Sequence, residues 1–294
     1  MTEPTATAAM HDEDLGEGID WATVIVLARK ELRDSVRDRW FWLYAAGFAL
    51  VAAALVFIGL SNQGVATYGG FGRATASLVT LAQLIVPLMG LTLGARTVAS
   101  GRERGTLRFL LSLPVNRSEA FLGMFVGTAL ALAVAVAAGF GVAGVLGFFG
   151  SASWDPLALG WIALLAWLLA LTMLSVGMLV SVLSRRASTA LGLSLFVWLL
   201  LTFLGDLGIM GTAAATRLPV NVLFASVVVN PVEAFRLASM ITLHGSLDVL
   251  GPAGFYAVDT FGNALLWVVV GAMVLWAVVP LVIAWVVFDR RVDL

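Results

Sequence analysis

The stretch 121-FLGMFVGTALALAVAVAAGFGVAGVLGFF-149 decides the fold class, because it contains no charged side chain over its whole length. A helix needs about 20 apolar residues to cross the hydrocarbon part of a bilayer. Continuous apolar runs indicate helices, because the strands of a membrane barrel alternate apolar and polar residues. Five further runs meet this criterion: 41–60, 77–98, 157–183, 189–209 and 263–288. The sequence therefore predicts an all-α integral membrane protein with six transmembrane helices in a domain of residues 40–288.

The composition supports a membrane protein and excludes other classes. Hydrophobic residues make up 61% of the 294 residues and charged residues 12%. An ordinary soluble domain has about 45–50% apolar and about 25% charged residues. The net charge of −1 excludes a basic nucleic-acid binder, so no nucleic-acid partner is expected. Cysteine is absent, which excludes disulfides and thiolate metal sites.

The distribution of basic residues predicts the orientation of the chain. Cytoplasmic loops carry the excess of Lys and Arg. Three of the 17 basic residues fall on one side of the predicted spans, and all the others fall on the opposite side. Those three are Arg73, Arg217 and Arg236. We therefore expect both termini in the cytoplasm of a bacterial inner membrane protein, with residues 1–19 as a disordered tail without a signal peptide and 289–294 as a short C-terminus.

The predicted spans contain almost no ionisable residues. Arg96 and Asp206 lie near span ends, from which their side chains can reach water. Ion-coupled carriers normally hold an acidic residue at mid-depth, so that class is disfavoured. Lys30, the only lysine, follows no glycine-rich loop, and a nucleotide-binding P-loop needs both. We expect no ATPase activity, cofactor or metal site in this chain, so that any work depends on another subunit.

Small residues recur every four positions along the third predicted span. They are Gly123, Gly127, Ala131, Ala135 and Gly139, continued by Ala143 and Gly147. Such a stripe allows a neighbouring helix to approach closely. The pattern predicts tight helix packing and leaves open whether the neighbouring helix belongs to this chain or to a second copy.

Residues 20–39 have the pattern of an amphipathic helix. Apolar residues recur at helical spacing, and charged residues such as Arg29, Lys30 and Glu31 occupy other positions. The apolar positions are Trp21, Ile25, Ala28, Leu32 and Val36. A helix of this type lies along the inner membrane surface, with its basic residues near anionic lipid headgroups. A plain membrane anchor is an equally good interpretation.

The cytoplasmic segment 101–117, GRERGTLRFLLSLPVNR, predicts a short helix that ends before Pro114. Its apolar residues Leu107, Leu110 and Leu111 lie between flanking charges. A short helix of this kind can insert its apolar side into a groove of a partner. A solvated loop is the alternative.

The same segment resembles the signature E-[KR]-x-x-G-T-L-x-x-L-L-x-x-P-x-x-R of ABC-2 type permeases, with Arg104 directly before Gly105. Residues 28–32, ARKEL, also resemble the start of these permeases. The resemblance implies a type V exporter-like fold and a working unit of two permeases with two ATPase subunits, which bind ATP and Mg. It also implies a coupling helix that docks into the ATPase. The residues carried over to that role are Arg102, Glu103, Arg104, Gly105, Thr106, Leu107, Leu110, Leu111 and Arg117.

The long extracytoplasmic segment 210–262 carries a narrower resemblance. Residues 230–240, NPVEAFRLASM, and 247–262, LDVLGPAGFYAVDTFG, are similar to permeases that serve the maturation of nitrous-oxide reductase. The resemblance implies a periplasmic copper-handling partner that serves assembly of that enzyme's copper centre. An exporter of a lipid or a hydrophobic drug is the alternative function, and a scaffold without an ATPase is a third.

The residues of this segment also predict a helix of their own. Asn230 suits the N-cap, Pro231 the first turn, and Glu233 the third position of a capping box. The helix is predicted either to dock a periplasmic partner or to form a lid over the outer helix ends. The candidate docking residues are Asn230, Glu233, Phe235, Arg236, His244 and Asp248.

Overall fold

The computed structural model describes residues 19–61, 70–150, 155–214, 225, 228–243 and 262–291. No residue in these ranges belongs to a β-strand, so the predicted all-α fold is confirmed. The helices are α1 (Trp21–Arg37), α2 (Arg39–Ser61), α3 (Gly70–Glu103), α4 (Thr106–Leu111), α5 (Arg117–Gly150), α6 (Pro156–Leu183), α7 (Ala187–Ala214), α8 (Pro231–Thr242) and α9 (Leu265–Arg291). A short 3-10 helix, Gly262–Ala264, precedes α9.

Five of these helices are long and apolar enough to cross a membrane, counted over the described ranges. They are α2, α3, α5, α6 and α9. Helix α7 covers the fifth predicted span and is apolar over Ala187–Phe203. The count of six spans stays a prediction.

Helices α3 and α6 share the most extensive contact between described helices, and glycines bring their backbones together. A Cβ atom on Gly94 would lie 2.6 Å from the carbonyl oxygen of Leu174, and one on Gly177 would lie 2.6 Å from that of Leu91. The hydroxyl of Ser181 on α6 adds a polar bond to this contact. It accepts from the backbone amides of α3 residues 98 and 99, at 3.1 and 2.8 Å, and donates to a carbonyl of α3.

The proline in α3 separates this glycine contact from the outer part of the helix. Pro87 has no amide hydrogen, so the carbonyl of Gln83 loses its usual helical donor at this turn. The contacts with α6 through Gly90 and Gly94 lie on the C-terminal side of Pro87.

The small-residue stripe of α5 packs against helices of the same chain. A Cβ on Gly123 would lie 2.5 Å from the Cβ of Leu27, and one on Gly127 would lie 2.5 Å from the carbonyl oxygen of Ala28. Farther along α5, Gly139 faces the ring of Phe48 on α2. At these three glycines the structure shows packing within the chain, which was one of the two alternatives.

Helix α8 lies inside the bundle, packed against α3, α6, α7 and α9. Its residues Val232, Ala234 and Phe235 have no exposed surface. The sequence analysis assigned this segment to the extracytoplasmic side, either as a docking helix or as a lid over the outer helix ends. In the structure, polar groups of α8 find partners on the neighbouring helices α3 and α7.

Candidate functional site

The docking tip, defined as residues 105–113, follows directly on the end of α3. Gly105 has a φ of 75°, a left-handed conformation that glycine adopts without strain and that turns the chain from α3 into α4. Leu107 is only 5% exposed, whereas Phe109 is 70% exposed. Leu113, just beyond α4, is also exposed. The sequence analysis assigned the docking surface to Leu107, but its side chain holds α4 against the bundle, and Phe109, which it missed, presents the apolar surface.

Leu110 and Leu111, the other two leucines that the sequence analysis assigned to the docking surface, are partly buried. A helical wheel alone could have found Phe109, because it lies opposite Leu107 on a short helix. The signature led instead to the leucines, since they are the residues it specifies.

The charged residues of the signature bond to this chain. Arg102 donates to the carbonyl of Ser184 at 2.9 Å, and Glu103 accepts from the amide of Ala187 at 3.2 Å. Both contacts bind the end of α3 to the α6–α7 turn. Arg117 donates to the carbonyl of Asp289 at 2.7 Å, near the end of α9.

Arg104 and Thr106 bond back to α3, to Ser100 and Gly101. The signature charges thus fix the helix ends around the tip, and Arg104 remains exposed. Arg96 of α3 belongs to the same end of the bundle. It forms an ion pair at 2.9 Å with Asp38, the residue between α1 and α2.

A side-chain cap that the sequence analysis missed begins α5. The buried carboxylate of Glu119 accepts from the backbone amide of Asn116 at 3.1 Å and from its side-chain amide at 3.2 Å. Glu119 also accepts from the amide of Asp20 at 2.8 Å, which fixes the start of α1 beside the start of α5. Hydrogen bonds from Thr23 and Ala22 to the Asp20 carboxylate lower its pKa. The pattern N-x-x-E could have revealed this cap.

Helix α1 contacts α5 along a face slightly rotated from the predicted apolar stripe. Val24 and Ala28 are buried, whereas Trp21 and Ile25 are exposed. On α5 this contact centres on Gly123 and Gly127, where an added Cβ would lie 3.3 Å from the carbonyl oxygen of Val24 and 2.5 Å from that of Ala28, respectively.

Among the residues assigned to the interfacial helix, Arg29 and Lys30 are exposed, and Lys30 pairs with Asp34 at 3.0 Å. Glu31 is partly buried beside Gly127. Burial raises the pKa of the Glu31 carboxyl, and nearby Lys30 and Arg104 partly oppose this rise.

A polar cluster lies within the bundle, far from the docking tip. Glu233 of α8 is 4% exposed and accepts from the side-chain amide of Gln83 on α3 at 3.1 Å. Asn230 caps α8 through the amide of Val232 and donates to the carbonyl of Leu201 on α7 at 2.7 Å. Arg236 lies 3.9 Å from Glu233, at the edge of this cluster. We call Gln83, Asn230, Glu233 and Arg236 the polar joint.

The polar joint adds one finding and corrects one expectation. An acidic side chain does lie inside the bundle, because α8 brings Glu233 there from outside the predicted spans. The predicted docking residues Asn230, Glu233 and Phe235 are covered by helices of this chain and offer no surface to a partner. Arg236 is partly exposed, and His244 and Asp248 lie outside the described residues. Gln83 was missed because a single uncharged amide in a long apolar run carries no pattern.

Fold and site together define a multi-pass helical membrane protein with an exposed helical tip at its basic end. The family of ABC-2 family transporter proteins matches residues 25–293, and the chain belongs to this family. An ABC permease implies a separate ATPase partner.

Two relatives resemble most of the chain. A protein of Stutzerimonas stutzeri is 31% identical over 264 residues, which cover 84% of this chain and 92% of the relative. A protein of Pseudomonas aeruginosa strain PAO1 is 30% identical over 236 residues, covering 74% and 81%. Each is named a probable ABC transporter permease protein NosY. The chain is therefore an ABC-2 permease similar to NosY.

Proposed function

We propose that this chain is the membrane subunit of an ABC complex that serves maturation of the copper centre of nitrous-oxide reductase. A separate ATPase hydrolyses ATP with Mg, and the permease transmits the resulting force to a periplasmic copper-handling partner, exports a sulfur species, or does both. The observation that carries this proposal is the docking tip, an apolar surface held by bonded helix ends, in a chain similar to NosY.

The tip has the features needed for mechanical coupling. Its exposed Phe109 can enter a groove on a partner, while the buried Leu107 transfers the load to the bundle. The bonds of Arg102 and Glu103 spread this load from α3 to the α6–α7 turn. A displacement of the tip is thus expected to move several helices together.

The proposed complex contains two copies of this chain and two ATPase subunits. The chain itself has no catalytic role in this proposal, which agrees with its lack of a P-loop lysine. Membrane lipid covers the exposed apolar faces of α2 and α9, whose long side chains point away from the bundle.

Phe109→Asp tests the proposal, because it removes the apolar surface from an exposed position without altering the packed core. We expect less ATPase subunit to co-purify with the tagged permease and less copper in nitrous-oxide reductase from the same cells. Phe109→Leu is the matched control and should retain both. Leu107→Asp is a poorer test because Leu107 is buried, and a charge there would unfold the tip.

Normal co-purification and normal copper content in Phe109→Asp would contradict the coupling role. Loss of ATPase binding with full copper content would separate the ABC assembly from the reductase. That second result would favour another cargo, such as a lipid or a hydrophobic drug.

A further inference from the structure

The polar joint fixes the position of α8 more firmly than apolar packing can. Apolar packing is spread over many contacts, whereas a buried hydrogen bond requires two particular atoms to meet. Glu233 meets Gln83 on α3, and Asn230 meets the carbonyl of Leu201 on α7. The lack of a side chain on Gly205 of α7 leaves room for Glu233, since a Cβ there would lie 2.5 Å from its Oε1 atom.

The two helices that hold α8 also meet each other at the docking tip. The carboxylate of Glu103, at the end of α3, accepts from the amide of the first residue of α7. The docking tip begins two residues after Glu103. A rise of 1.5 Å per residue places Gln83 about 30 Å from Glu103 along α3. The outer parts of the same helices are joined again, because the indole of Trp198 donates to the carbonyl of Leu84 at 3.2 Å.

We propose that Gln83 is a positioning residue that makes α8 follow α3 when the docking tip is displaced. This inference rests on the proposed coupling to an ATPase and names the contact through which the motion reaches the outer half of the bundle. The motion passes along α3 to the Gln83 amide and from there to Glu233. Asn230 keeps α8 in register with α7 at the same time.

The test follows the position of α8 in the complex of this permease with its co-purifying ATPase. Spin labels are attached at Val229→Cys, just before α8, and at Phe149→Cys, near the end of α5, because α5 makes far less contact with α3 than α6 does. Both side chains are exposed, and the chain has no cysteine of its own. The distance between labels is measured without nucleotide and after trapping with ATP and vanadate. Because the proposed complex contains two copies of this chain, complexes that carry only one of the two labels are measured as well. They show which distances arise between labels on different copies.

We expect trapping to shift this distance in the otherwise unsubstituted complex. Gln83→Met, which keeps the length of the side chain but removes its donor, should abolish the shift while ATPase co-purification and ATP hydrolysis stay unchanged. Thr80→Val is the matched control, because Thr80 is exposed on α3 and its hydroxyl bonds within its own helix. It should retain the shift.

The double variant Gln83→Glu/Glu233→Gln keeps one amide and one carboxylate at the joint and should restore the shift. The proposal is overturned if trapping shifts nothing in the unsubstituted complex, if Gln83→Met still shifts, or if Thr80→Val loses the shift. It is also overturned if Gln83→Met loses the ATPase, because Gln83 then serves assembly. Absence of a co-purifying ATPase from the unsubstituted permease instead refutes the proposed function.

Discussion

Replacing Gly94 by alanine tests the close contact between α3 and α6. The added Cβ would lie 2.6 Å from the carbonyl oxygen of Leu174, 2.9 Å from the amide nitrogen of Met178 and 3.1 Å from the carbonyl carbon of Gly177. All three atoms belong to the backbone of α6, so no side chain can rotate away. Ordinary contact begins at 3.4 Å, and the two helices must separate locally by about 0.8 Å.

The size of the effect follows from two opposing terms. Overpacking of a tight contact costs about 1–3 kcal/mol. Alanine in place of glycine favours a helix by about 1 kcal/mol. A control variant at an open glycine cancels this second term, and Gly47 and Gly271 have no atom within 4 Å of an added Cβ. We therefore expect Gly94→Ala to be less stable than Gly47→Ala or Gly271→Ala by about 1–3 kcal/mol.

The free energy of unfolding can be compared by titrating the purified protein in detergent micelles with sodium dodecyl sulfate and following tryptophan fluorescence. Gly94→Ala/Gly177→Ala should cost less than the sum of the single variants, because one separation of the helices relieves both contacts. Equal stability of Gly94→Ala and the two controls would refute the geometry on which this expectation rests.

Three further predictions concern other contacts. Burial raises the pKa of Glu31 above its ordinary value of 4.5, so the stability that its protonated form contributes is complete below pH 4.5 and is lost as pH rises through the higher folded pKa. Glu31→Gln should therefore gain stability relative to wild type as pH rises above 4.5, and a difference in unfolding midpoint that stays constant with pH would contradict this. Ser181→Ala should lower the free energy of unfolding by about 1–3 kcal/mol in the same titration, because it removes the bonds to α3. Ser175→Ala is the control and should lose less, because the Ser175 hydroxyl bonds within its own helix. Equal losses in the two variants would count against the bond between the helices. Ala135→Leu should impair folding and assembly, because Ala135 has no exposed surface and a larger side chain has no space there. Size-exclusion chromatography measures the effect, and a normal elution profile with normal activity would disprove this prediction.

The sequence predicted the helices well because each apolar run carries its own signal. A long uncharged segment such as 121–149 has only one stable form in a bilayer, in which every backbone group is bonded within the segment. The short helix at Thr106–Leu111 was also expected from its leucines and the proline that follows. These are local properties, and local patterns are sufficient to find them.

The position of α8 could not be predicted in the same way. The sequence analysis assigned it to the extracytoplasmic segment 210–262, which contains Glu233 and Arg236. Its burial depends on Gln83, Leu201 and Gly205, which are distant in sequence and individually unremarkable. The exposure of Phe109 depends likewise on which side of α4 meets the bundle, a matter of tertiary packing.

The proline in α3 has a consequence for how the helix responds to load. On the C-terminal side of Pro87 the helix is fixed to α6 through Gly90 and Gly94, and on the other side Gln83 contacts α8. Because one backbone hydrogen bond is missing between these regions, bending there costs less than elsewhere along α3. The part of α3 before Pro87 can tilt while the part after Pro87 keeps its contact with α6. Amide hydrogens on the two sides of the proline are therefore expected to exchange with deuterium at different rates during the ATP cycle.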